Sequence, residues 1–155
     1  MSWKTAYLES RVLSASPLEL INILYEYAIR YVEAAQEDLA RGDIRGRSKA
    51  ISKAMAIIGE LQGSLDHSAG GEIATNLARL YLYMLERLMT ANRKQEAAPL
   101  AEVESLLKTL GRAWNEISAQ PAAAVTRLPQ APAVAIWTAP AFELADGQRA
   151  YTWSA

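Results

Sequence analysis

Residues 16–42 read SPLELINILYEYAIRYVEAAQEDLARG, and the way this stretch opens and closes decides the fold. Ser16 offers a side-chain acceptor to the free N–H groups of a helix start. Pro17 suits the first helical position, where its missing donor costs nothing, and Glu19 follows Ser16 at the distance from which a carboxylate reaches back to the cap. Beyond this start Ile21, Leu24, Tyr25, Ala28, Val32, Ala35 and Leu39 recur at three- and four-residue steps, which a period of about 3.6 brings onto one face. Arg41-Gly42 closes the pattern, because glycine accepts the left-handed conformation in which many helices end. The spacing therefore predicts an amphipathic helix over 17–41 that needs partners to cover its apolar face.

The rest of the sequence supplies three of them. Asp43 is a cap for a second helix over 43–65, whose seam Ile51, Ala54, Ile58, Leu61 and Leu65 alternates threes and fours as in a helix packed nearly antiparallel to its neighbours. Residues 66–71 break it. A third helix over 71–92 follows Gly70-Gly71 and carries Ile73, Leu77, Leu80, Tyr81, Met84, Leu88 and Ala91 on one side. It also carries Leu82, Tyr83, Leu85 and Met89 on the others, so it is either central or covered by something else. A fourth helix over 98–118 has Pro99 in its first turn and Val103, Leu107, Leu110, Trp114 and Ile117 along its seam. Similar lengths and short loops make this an all-α fold, an antiparallel up-down four-helix bundle over 16–118. The expected core is Ile21, Leu24, Val32, Ile51, Ile58, Leu61, Leu77, Leu80, Met84, Leu107, Leu110 and Trp114.

Residues 1–15 form a short amphipathic N-terminal arm that fits a helical turn equally well. Residues 119–155 are a tail, where Pro121, Pro129, Pro132 and Pro140 exclude a long helix. Its charges, Arg127, Glu143, Asp146 and Arg149, cancel, while Val134, Ile136, Trp137, Phe142, Leu144, Tyr151 and Trp153 are all fit for burial. That composition suits a segment that docks on the bundle better than one that stays solvated.

Composition removes several function classes. A net charge of −1, from 16 Lys and Arg against 17 Asp and Glu, gives no attraction for a phosphate backbone, so nucleic acid is not an expected partner. The absence of cysteine removes disulfides, thiolate metal sites and thiol nucleophiles, and suits a reducing compartment. No signal peptide opens the chain and no apolar run approaches the roughly 20 residues that span a bilayer, so the expectation is a cytoplasmic protein without membrane insertion. The single histidine, His67, has no Glu three residues before it, so no metal, cofactor or catalytic site is expected. Gly70-Gly71 lacks the longer glycine pattern and the lysine of a phosphate loop and reads as a tight turn. Arg41, Arg45, Arg47 and Lys49, beside Asp38 and Asp43, read as a solvated corner. Tyr25, Tyr27, Tyr31, Tyr81 and Tyr83 combine apolar faces with polar tips, as residues of an intermittently covered surface do, and Tyr25 and Tyr81 fit the core equally well.

Read in order, Ala15-Ser16-Pro17-Leu18-Glu19-Leu20-Ile21, Leu24-Tyr25, Ala28-Ile29-Arg30, Ile57-Ile58-Gly59-Glu60-Leu61, Gly70-Gly71-Glu72-Ile73-Ala74, Tyr83-Met84, Arg87-Leu88 and Ala113-Trp114 resemble the flagellar secretion chaperone family FliS, over about residues 7–117. Glu26-Tyr27, Leu82 and Gly111 depart from its usual pattern, and the long apolar tail falls outside it. The resemblance implies a cytoplasmic chaperone that binds the disordered C-terminal segment of flagellin, prevents its polymerisation and carries it as a complex to the flagellar type III export gate. It implies no enzyme activity and a monomer or weak homodimer. Tyr7, Met55, Leu77, Tyr81, Tyr83, Leu85 and Met89 are the expected partner-binding residues, chosen for family position or for apolar character left over from the seams. The alternative is a regulatory or scaffold bundle that sequesters another protein.

Overall fold

The computed structural model describes Tyr7, residues 10–13 and residues 15–119, together with the backbone of residues 142–144 and 148–151. Four long helices make an all-α bundle: α1 (Pro17–Arg41), α2 (Ile44–Gly63), α3 (His67–Lys94) and α4 (Ala97–Ala119). Each end is written locally. Ser16 accepts from the Glu19 N–H at 3.3 Å while the Glu19 carboxylate accepts from the Ser16 N–H at 3.1 Å, closing a capping box. At the other end Gly42 takes φ 72°, which lets its N–H reach Leu39 O and the Asp43 N–H reach Asp38 O, satisfying two carbonyls that the helix leaves open. The Asp43 carboxylate then caps α2 by accepting from the Gly46 N–H at 2.9 Å.

Where α3 begins, structure and expectation differ. The Asp66 carboxylate accepts from the Ser68 and Ala69 N–H groups at 3.1 and 3.0 Å, so a single helical turn forms ahead of the glycine pair. These backbone and side-chain donors also hold the Asp66 carboxyl below the usual range. Gly71 (φ 51°, ψ −129°) then breaks the turn and redirects the chain into the long rod. A Cβ at Gly71 would meet nothing, so glycine is needed there for its backbone conformation and not for space.

The helices close a ring in which α1 packs on α2 and α4, and α3 packs on α2 and α4. Neighbours run antiparallel: Asn22 Nδ2 donates to Ser118 Oγ at 3.0 Å near one end of the α1–α4 pair, and Gln36 Nε2 donates to Glu104 Oε2 at 3.0 Å towards the other. The core runs down the centre as expected, except that Leu80 and Leu110 are half-buried at its margin. A second, smaller cluster joins Val12 and Ala15 to Leu20 and Ile23 on the outer side of α1, with Tyr27 packed against it. Residues 10–13 are helical, and Arg11 pairs with Glu26 at 3.4 Å, so this part of the arm lies against α1.

Polar contacts between helices reach into the interior. Tyr25 of α1 and Tyr81 of α3 meet across the bundle axis, hydroxyl to hydroxyl, with Trp114 of α4 buried in the same core. Burial pushes the Tyr25 phenol up to about 12 and the Tyr81 phenol upward as well. Arg47, expected at a solvated corner, is 4% exposed instead. Its guanidinium donates to Asn92 Oδ1 and Asn92 O, each at 3.3 Å, and Ser48 Oγ donates to the same Oδ1 at 3.0 Å. A cation beside the C-terminal turn of α3 faces the negative end of that helix, which favours its placement there.

In the tail, Phe142–Leu144 pairs antiparallel with Gln148–Tyr151. Apart from those strand backbones, the reading of 119–155 as a docked tail lies outside the described residues.

Candidate partner-binding surface

The two flanks of α3 differ in chemistry. On one, Arg87 Nε donates to Glu102 Oε2 at 2.8 Å and the Tyr83 hydroxyl donates to the same carboxylate, tying α3 to α4. The Tyr83 hydrogen bond and the Arg87 guanidinium hold the Glu102 carboxyl below its usual range, and the same contact with Glu102 raises the Tyr83 phenol. The opposite flank adjoins α2. Ala78, Leu82, Leu85 and Met89 follow one another at three- and four-residue steps along it, with Leu82 and Met89 exposed by 51% and 56% and Leu85 half-buried.

From α2 the matching residue is Met55. Ser48, seven residues before it, reaches Asn92 of α3, whereas Lys53 lies over the Tyr31 ring of α1 at 5.3 Å. Met55 therefore stands on the side of α2 that meets α3, where it is half-buried against the core. Next to it the outer stripe of α2 is Ser52, Ala56, Gly59 and Gly63, all exposed. A Cβ at Gly59 or Gly63 would meet no atom, so the α2 backbone itself lies open beside the taller Leu82 and Met89 ridge. A helix or extended segment laid here could approach α2 closely while covering the α3 ridge.

Three expected contact residues, Met55, Leu85 and Met89, thus come together on the α2–α3 face. Tyr83, 42% exposed, is on the other flank of α3. Tyr7 stands apart from both: the Arg11 guanidinium that pairs with Glu26 of α1 also lies over its ring at 5.8 Å. Leu77 and Tyr81 are inside the core, Tyr81 completely so, where they support the surface without forming it. Leu82 is the contact candidate that sequence reasoning missed. Its signal was present, an apolar side chain outside the α3 seam, but periodicity alone does not say which flank of a helix stays open.

A polar concavity of about 280 Å³ lies elsewhere, lined by Arg11, Ala15, Glu19, Asn22, Ile23, Asn115 and Ser118. Its lining suits water better than an apolar segment. Among the described residues no cluster of His, Cys, Asp or Glu is arranged to hold a metal, and no helix is long and apolar enough to cross a membrane.

An all-α bundle with exposed apolar side chains along one pair of helices has the form of a helical binding protein. The comparisons narrow this class. The family described as "Flagellar protein FliS" matches residues 2–121. The flagellar secretion chaperone FliS of Salmonella typhimurium is 45% identical over 72% of this chain and 83% of its own length. The flagellar secretion chaperone FliSB of Pseudomonas aeruginosa is 38% identical over 72% of this chain and 88% of its own, and the FliS chaperone of Bacillus subtilis is 31% identical over 72% and 83%. The chain belongs to the FliS family of flagellar secretion chaperones.

Proposed function

We propose that this chain is a cytoplasmic chaperone that binds the disordered C-terminal segment of flagellin on the α2–α3 face, keeps it from polymerising and delivers it to the flagellar type III export gate. The observation that supports this reading is the exposed ridge of Leu82 and Met89 above half-buried Met55 and Leu85, in a chain of the flagellar secretion chaperone family. A flagellin segment that must later pack through its apolar side is prone to self-association while free, and an apolar helix face laid on this ridge is withheld from that reaction. The work is binding and release; no bond is made or broken. Tyr83, on the other flank, becomes a second contact if the ligand wraps past α3 towards α4.

Calorimetric titration of the full chain with the C-terminal segment of the flagellin encoded alongside it tests the reading. Micromolar or tighter binding is expected, with the segment gaining helix. Leu82→Glu and Met89→Glu each place a charge on an exposed position, so folding is retained while affinity falls by about tenfold or more, equivalent to ~1.4 kcal/mol. No binding by the unaltered chain would remove the flagellin assignment.

A further inference from the structure

An open apolar face drives self-association when nothing occupies it. Among the described residues the other exposed large apolar side chains do not extend the Leu82–Met89 ridge: Tyr7 and Leu13 stand before α1, Ile44 at the start of α2, and Tyr83 on the opposite flank of α3. The same chain continues past the end of α4 at Ala119 into a segment whose composition answers that ridge. Residues 134–153 contain Ile136, Trp137, Phe142, Leu144, Tyr151 and Trp153 with only Glu143, Asp146 and Arg149 charged. The family match ends at residue 121, so this segment is not explained by what the family shares.

Within it, Phe142–Leu144 and Gln148–Tyr151 form an antiparallel pair, Phe142 opposite Tyr151 and Leu144 opposite Gln148. A lone two-stranded hairpin is marginal in water and gains stability by packing on an apolar surface. Reach is no obstacle. Residues 120–141, at about 3.3 Å each, span up to ~70 Å when extended, and the 23-residue helix α4 is only about 35 Å long.

We propose that residues 134–153 dock on the α2–α3 face of their own chain, with the hairpin over Leu82 and Met89, and that flagellin binds by displacing them. The displacement step rests on the flagellin reading above; the docking does not. Tethering sets an effective concentration of roughly millimolar, so a docking site with an intrinsic Kd of about 0.1 mM would be occupied about nine-tenths of the time. A competing ligand would then bind about tenfold more weakly than to a bare face.

The chain has no cysteine, so an introduced one carries a probe alone. A nitroxide at Glu86→Cys, exposed and one turn from both Leu82 and Met89, is compared with one at Ser105→Cys, exposed on the outer side of α4, both in the full chain. Docking requires that the first label broaden the amide signals of residues 134–153 much more than the second and that the effect survive tenfold dilution. Broadening that disappears on dilution assigns the face to a second copy and overturns the proposal, as does the absence of broadening from the Glu86 site, whatever flagellin does. Added flagellin segment should relieve the broadening, and Phe142→Asp with Leu144→Asp in the full chain should tighten flagellin binding about tenfold. Broadening that flagellin binds without relieving upholds docking and refutes displacement from this face.

Discussion

Tyr25 and Tyr81 share one buried hydroxyl–hydroxyl hydrogen bond that joins α1 to α3, and a double-mutant cycle exposes their coupling. Tyr25→Phe and Tyr81→Phe each remove one partner of that bond. A lost hydrogen bond to a buried group costs about 1–3 kcal/mol, so each single variant is expected to destabilise by about 1–3 kcal/mol. The double variant breaks no further hydrogen bond of this set, because the Tyr25–Tyr81 contact is already gone in the first single variant. Its cost should therefore lie within about 0.5 kcal/mol of Tyr25→Phe alone and fall short of the sum by about 1 kcal/mol. Urea unfolding followed by far-UV circular dichroism reads these differences, provided the dependence on denaturant is unchanged across the set. Costs that add would show that the two hydroxyls are not coupled.

The same phenols predict an alkaline limit. Burial raises the folded pKa of Tyr25 to about 12 and that of Tyr81 in the same direction, so the folded chain keeps protons that the unfolded chain releases above about pH 10. Stability from this source is complete below pH 10 and is lost as pH rises; by pH 12 Tyr25 alone accounts for about 2 kcal/mol, and the double Phe variant should lack this slope in denaturant titrations. At the end of α3, Gln95 takes the left-handed conformation (φ 56°) that glycine adopts without strain. Gln95→Gly is expected to raise stability by about 1 kcal/mol, visible as a thermal midpoint a few degrees higher, and a lower midpoint would contradict the strain argument.

The ends of α1 and the start of α2 were legible in the sequence because each is a local event: Ser16 and Glu19, Arg41-Gly42, and Asp43 act over a few residues and need no tertiary partner. The central seam was legible because its period repeats over several turns. Arg47 was not, since a guanidinium among charged neighbours reads as solvated until the end of α3 is brought against it. Leu20 and Ile23 escaped for a related reason: they lie outside the α1 seam and are buried only because Val12 and Ala15 fold back over them. For the partner surface, sequence identified surplus apolar residues on α3 but not how neighbours divide its circumference. That division put Tyr81 inside and left Leu82 out.

The Arg47–Asn92 contact fixes more than a buried charge. The short connection between Gly63 and His67 joins α2 to α3 at one end, and Arg47 with Ser48 clasps Asn92 near the other, so the pair is fastened at both extremities. If a guest polypeptide binds this face as proposed, it meets a mould already cast. The entropy lost on association is then borne mainly by the guest, and affinity is tuned through the guest's own helix propensity more than through any give in its host.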